Sequence, residues 1–331
     1  MKPENRRHSE ALTNTKKLVL LLQYCVAVSS VFVALGMIPK AAQSVRADQG
    51  SAAGRPELVL QTGHAMRVDG LAFSPDGRLL ASGSADNTLK LWDTSSKREV
   101  RTLAGHTAGI KAVAFRPDGE WLASGGIDGS LKLWEVATGH ELRSLGGNGS
   151  ISSVAFSTDG RWLGAGNMEK TVKLWDLKTG REPLTLMGHA GFITSIAFSP
   201  DRRWLASGSA DRTIKIWNLE SGREQRSLMG HTDRIAALAF SPDGQLLASG
   251  SFDTKVKLWK VSDWTEQKLR LESPSRILAL AFTPDAHTLI SADANRTTRR
   301  NHLGTGSELR TIADPAKEDV NEAIAIAFSR D

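Results

Sequence analysis

One cysteine and one tyrosine are all this chain of 331 residues holds of those two types, and aromatic residues of every kind make up 6%. The lone Cys25 excludes a disulfide within the chain and any zinc site built from paired cysteines. The residues ahead of it, Leu21 to Tyr24, lack the small side chain that a lipid-attachment cysteine needs, so Cys25 reads as an inert residue of an apolar segment. A charge excess is also missing from the body of the chain. The first 47 residues carry seven Lys/Arg against Glu4 and Glu10, which leaves 35 basic and 34 acidic residues beyond Ala47. The formal net charge of +6 is therefore a property of the N-terminus and gives no reason to expect a nucleic-acid partner. No glycine-rich phosphate loop, zinc-like His/Cys cluster or nucleophile elbow occurs, so the sequence offers no cofactor, no metal and no catalytic centre.

What is present begins with a targeting or anchoring segment, residues 1–47. Lys2, Arg6, Arg7, Lys16 and Lys17 precede an uncharged apolar run from Leu18 to Ile38. As a helix rising about 1.5 Å per residue, that run reaches roughly 30 Å, enough to span a bilayer. Val45 and Ala47 also fit a signal-peptidase site, so an uncleaved anchor and a cleaved signal both remain open. In either case the charge bias keeps the N-terminus in the cytoplasm and places the remainder outside it, periplasmic or at the cell surface. Residues 48–56 read as a linker.

The rest of the chain repeats. Phe73, Phe115, Phe156, Phe198, Phe240 and Phe282 follow one another at intervals of 42, 41, 42, 42 and 42 residues, and Phe328 comes 46 later. Each unit holds four short runs of alternating or apolar character separated by turn residues, such as Pro242 and Gly244 after Phe240. Alternation with frequent turns predicts four strands per unit and an all-β fold without helical periodicity.

Gly-His pairs at His64, His106, His189 and His231, with Trp92, Trp134, Trp217 and Trp259 each 28 residues later, complete the pattern. The chain from 57 to 331 resembles the WD-repeat β-propeller family, in an exported or membrane-anchored bacterial form. That resemblance implies blades of four antiparallel strands around a channel. It further implies a hydrogen-bonded chain of His, Ser, Asp and Trp inside each blade: His64, Ser82, Asp86 and Trp92; His106, Ser124, Asp128 and Trp134; His189, Ser207, Asp211 and Trp217; His231, Ser249, Asp253 and Trp259. Metal ligation by these residues is disfavoured, because ligands must converge on one ion while residues repeated once per blade diverge around a ring.

Two units break the pattern. The third keeps Trp175 but has Asn148, Ala165 and Glu169 for His, Ser and Asp, so it is expected to rely on packing alone. In the sixth, 273–312, Ser273, Asn295 and Asn301 replace His, Asp and Trp, and Thr298 and Arg300 replace two leucines. The stretch from Ser291 to Gly304 reads as a relaxed or locally scrambled strand, with an anion-recruiting basic patch as the alternative. The resemblance also implies closure of the ring by an N-terminal strand, 57–62, pairing with the last unit. The expectation is therefore a seven-bladed propeller preceded by an N-terminal apolar helix, its last blade, from about residue 320, holding only that strand and 323–328.

Fold does not fix function. By resemblance, a protein or peptide partner would bind the face that carries the loop before the first strand and the loop bearing the Asp. Arg67, Asp69, Lys111, Ile127, Met168, Phe192, Thr194, Arg234, Phe252 and Arg276 occupy those loops, and their aromatic and arginine members suit binding hot spots. The function expected is a non-enzymatic interaction scaffold, held at a membrane if residues 1–47 are not cleaved. The alternative is the sensory or substrate-presenting part of a larger enzyme system, such as one with a caspase-like peptidase or a kinase.

Overall fold

A computed structural model describes residues 63–313, apart from 147–148 and 181–182. Blade 1 shows how the repeat folds. Strand β1 (Val68–Phe73) leads through a tight turn to β2 (Leu79–Ser84), and Gly77 takes φ 71° there. Strands β3 (Thr88–Asp93) and β4 (Arg98–Ala104) complete an antiparallel sheet in the order β1-β2-β3-β4. In β3, Leu89 and Leu91 are buried on one face, while Lys90 on the other extends its ammonium to Glu99 at 2.8 Å. Alternation thus places one row of side chains against a neighbouring blade and leaves the other row to pair charges.

Six such sheets follow in sequence, spanning 68–104, 110–146, 151–186, 193–228, 235–272 and 277–313. Among the described residues each unit supplies all four strands of its own sheet, in order, and no strand comes from another unit. The expected blade count is therefore corrected from seven to six. The described residues contain no helix either, and so none that is long and apolar enough to cross a membrane. Residues 18–38, 57–62 and 323–328, on which the expected helix and the extra blade rested, lie outside the described residues.

Neighbouring blades pack first strand against first strand, from blade 1 through to blade 6. At each of the five joints an isoleucine opening one blade rests on a glycine in the second strand of the blade before it. The pairs are Gly83 with Ile110, Gly125 with Ile151, Gly166 with Ile193, Gly208 with Ile235, and Gly250 with Ile277. A Cβ at any of these glycines would stand 2.3–2.5 Å from the isoleucine Cγ2, which no side chain tolerates, so the close approach requires glycine. The corresponding position in blade 6 is Ala292, and Val68 holds the isoleucine position in blade 1. Packing of comparable extent does not join blade 6 to blade 1 among the described residues.

The sixth blade is properly formed. Thr297–His302 pairs in register with both neighbours, from Thr288↔His302 on one side to Thr297↔Ala313 on the other, with an irregularity only between Arg300 and Asn301. The relaxed strand expected from its composition is a regular one. Arg299 holds the place of Lys90 and reaches Glu308 at 2.9 Å, repeating the cation-to-glutamate pair of blades 1, 2, 4 and 5.

Candidate functional site

Strands alternate in direction, so the loop before the first strand and the loop between the second and third lie on one face of the propeller. The four histidine chains hold these loops. In blade 1, His64 Nε2 lies 2.7 Å from Ser82 Oγ, Trp92 Nε1 donates to the same Oγ at 2.8 Å, and His64 Nδ1 is 3.0 Å from Asp86. Blades 2, 4 and 5 repeat this with all three distances between 2.7 and 2.9 Å. A carboxylate only accepts, so Nδ1 carries the proton; Nε2 then accepts from the serine hydroxyl, which in turn accepts from the indole.

Burial holds all four imidazoles below their ordinary value of 6.5, against the pull of the adjoining aspartate, and keeps them neutral at neutral pH. Burial also works against the aspartate charge, but hydrogen bonds from neighbouring hydroxyls and backbone amides outweigh it and bring Asp128 and Asp211 down to about 2. Each aspartate also accepts the amide of the residue after the histidine, such as Ala65 at 2.8 Å, and so clamps one loop to the other.

The two altered blades solve the same problem differently. In blade 3, Asn167 ends the second strand; its Oδ1 accepts the Thr171 amide at 3.1 Å, and its Nδ2 donates to the Thr171 hydroxyl at 2.9 Å. Blade 3 therefore does not rely on packing alone, although Asn148 lies outside the described residues. In blade 6, Asp293 stands at the matching position. It is 1% exposed and accepts from the Asn295 amide, the Thr297 amide and the Ser273 hydroxyl. The acid has moved two residues ahead of where the repeat predicts it.

The candidate face residues fall into separate groups. Asp69, 7% exposed, accepts from Arg67 at 2.7 Å and from Lys111 of blade 2 at 2.8 Å, which makes it a tie between blades. Thr194 donates to the Gly208 carbonyl within its own blade. Phe192 is half-buried. Ile127 and Met168, in the second-to-third-strand loops of adjacent blades, are each 47% exposed. Phe252 holds that position in blade 5 and has two guanidinium groups over its ring, Arg234 at 3.6 Å and Arg276 at 5.0 Å. Blades 1, 4 and 6 have alanine there, at Ala85, Ala210 and Ala294.

The opposite face holds what sequence reasoning missed. Trp121, Trp162 and Trp204 open the second strands of blades 2, 3 and 4, each under an arginine: Arg116 at 4.6 Å, Arg161 at 5.2 Å and Arg203 at 5.3 Å. Their signal in the sequence is a tryptophan at one fixed position in three consecutive units, overshadowed by the better known tryptophan of the third strand.

Comparison with known proteins agrees with this architecture. The family profile "IFT122 first beta-propeller" matches residues 150–331, more than half of the chain. The chain belongs to this β-propeller family. The profile "WD domain, G-beta repeat" matches residues 55–93 and 97–135, the first two units of the propeller. Individual relatives match over about one repeat. They are Protein Mut11 of Chlamydomonas reinhardtii, 54% identical over 41 residues (12% of this chain, 11% of that protein); Ribosome assembly protein 4 of Saccharomyces cerevisiae, 44% over 45 (14% and 9%); and WD repeat-containing protein 18 of Homo sapiens, 50% over 42 (13% and 10%). The chain thus spans about a tenth of the length of the curated relatives it matches. All three are eukaryotic, so the expected bacterial exported type gains no support from them.

Proposed function

We propose that this WD-repeat propeller is a non-enzymatic scaffold that binds a protein or peptide on the face carrying the histidine-clamped loops. The observation that carries this reading is the cluster of Arg234, Phe252 and Arg276, an aromatic ring in contact with two guanidinium groups at a loop position that is alanine in three blades. Such a residue contributes little to the blade core. Arginine and aromatic groups held in place before binding are the side chains that anchor interfaces, because little rotamer freedom remains to be lost. Ile127 and Met168 extend the same loop ring with exposed apolar surface.

Site-specific crosslinking tests the assignment. A photoreactive phenylalanine analogue in place of Phe252 should give discrete adducts with the partner in the native cell extract, and Arg234→Ala should reduce them several-fold. The same analogue in place of Ser96, exposed on the opposite face, should give none. Equal adducts from both positions would reject the assignment of this face.

A further inference from the structure

On the opposite face, between blades 4 and 5, lies a groove of about 910 Å³. Trp204 forms one wall and Trp264 meets it edge to face, with ring centroids 5.8 Å apart and planes at 88°. Trp264 sits where the backbone suits glycine. Its φ is 62°, in the turn between the third and fourth strands, and the same position holds Gly139, Gly180, Gly222 and Gly306 in four other blades and Lys97, at φ 59°, in blade 1. The turn itself is unchanged: Trp264 N donates to Lys260 O at 2.7 Å, as Gly139 N does to Glu135 O. An indole at positive φ, where four of the other five blades use glycine, places a bulky side chain at the groove at a cost to the backbone.

The polar lining is equally selective. Gln225, Gln245 and Gln267 all line this groove, and they are the only glutamines among the described residues. They come from the fourth strand of blade 4, the first turn of blade 5 and its fourth strand, so only the fold brings them together. A carboxamide donates and accepts at once, as a sugar hydroxyl does. The carboxylates are already engaged: Asp201 accepts from the Ser199 hydroxyl and the Arg203 amide, and Asp263 from the Thr265 amide and hydroxyl. Arg203, Arg226 and Lys260 nearly balance Asp201 and Asp263 in the lining, and beside the two indoles its only large apolar side chains are Leu246 and Val261.

We infer that this groove binds a neutral oligosaccharide, one ring of which stacks on the Trp264 indole while its hydroxyl pairs bridge the glutamine carboxamides. The site is independent of the partner face proposed above. Titration calorimetry of the full chain with maltohexaose, cellohexaose and chitohexaose tests it, with a proline-rich decapeptide as the peptide control. At least one hexasaccharide should bind with Kd at or below about 1 mM, and binding of a neutral ligand should change less than about twofold between low and high salt. Trp264→Gly restores the residue that suits the turn, so it should leave the fold intact while weakening that binding tenfold or more. Gln245→Ala should weaken it several-fold. Failure of all three sugars to bind, binding unaffected by Trp264→Gly in a variant that melts like the parent, or binding of the decapeptide in their place would overturn the proposal.

Discussion

Blades 1, 2, 4 and 5 close the loop between second and third strands with an aspartate borrowed from the histidine chain, whereas blades 3 and 6 close it with one residue at the end of the second strand. In all six, the amide of the residue at the start of the third strand is capped by a side-chain oxygen. Asp86, Asp128, Asp211 and Asp253 do this from two residues back, at 2.9–3.0 Å. Asn167 and Asp293 do it from four residues back, at 3.1 and 3.0 Å. The comparison separates two roles that the aspartate combines in an ordinary blade. Capping the turn is required of every blade, because an orphaned amide at a strand end is costly. Reaching across to a histidine and a tryptophan is a second role, and blade 3 performs the first without it.

The largest expected effect comes from removing the centre of an ordinary chain. Ser207→Ala leaves the Trp217 indole without its acceptor and the His189 ring without its donor, and should lower the unfolding free energy by about 1–3 kcal/mol in urea titration. Blade 3 already carries alanine there, as Ala165, so Ala165→Ser should change stability by less than about 0.5 kcal/mol. Equal responses in the two blades would erase the distinction.

Next in size is the displaced cap. Asp293→Ala strands two amides and the Ser273 hydroxyl, and should cost about 1–2 kcal/mol, with faster hydrogen exchange confined to Thr297–His302. Wild-type exchange in that strand should match that of Thr88–Asp93. Protection lost already in the unaltered protein would show that the cap does not hold the strand.

Acid provides the mildest probe. The four histidines titrate below 6.5 when folded and near 6.5 when unfolded, so the unfolded chain takes up more protons in that window. Their contribution is complete above 6.5 and is lost as pH falls through the lowered folded values. The depressed aspartates act in the same direction below about 3.8. The melting temperature should therefore fall between about pH 7.5 and about pH 5, with amides of blades 1, 2, 4 and 5 losing protection before those of blade 6. A uniform loss in all blades would assign the acid sensitivity to other groups.

Much of this fold is legible in the repeat itself. The phenylalanine interval, the alternating third strands and the Gly-His to Trp spacing each report on contacts within one unit, and those contacts form as the sequence implies. Relations between units are less legible. The count of seven rested on a closing strand that no single unit encodes. The acid of blade 6 was sought at Asn295, in the column where the repeat places it, although Asp293 fulfils the physical need from two residues earlier. The third strand of that blade looked unsuitable because Thr298 and Arg300 replace leucines, yet a strand flanked on both sides is held by its ladder whatever its composition. The glutamine groove draws on two blades: Gln225 and Gln267 hold one repeat position in consecutive units, but nothing in the linear pattern links either to Gln245. On the face of the histidine-clamped loops the sequence marks Phe252 as a large residue where three other blades have alanine, but the two guanidinium groups over its ring appear only in three dimensions.

The glycine and isoleucine at each joint bear on how such a chain can grow. Every internal unit carries both halves of the joint, a glycine for the unit after it and an isoleucine for the unit before. A tandem gene duplication that inserts a copy between two units therefore creates two working joints at once, with no compensating mutation needed. The ends are exempt from this rule: a copy placed after blade 6 would bring an isoleucine against the methyl of Ala292. Length can thus change in the interior by copying alone, whereas an addition directly after blade 6 would need glycine in place of Ala292.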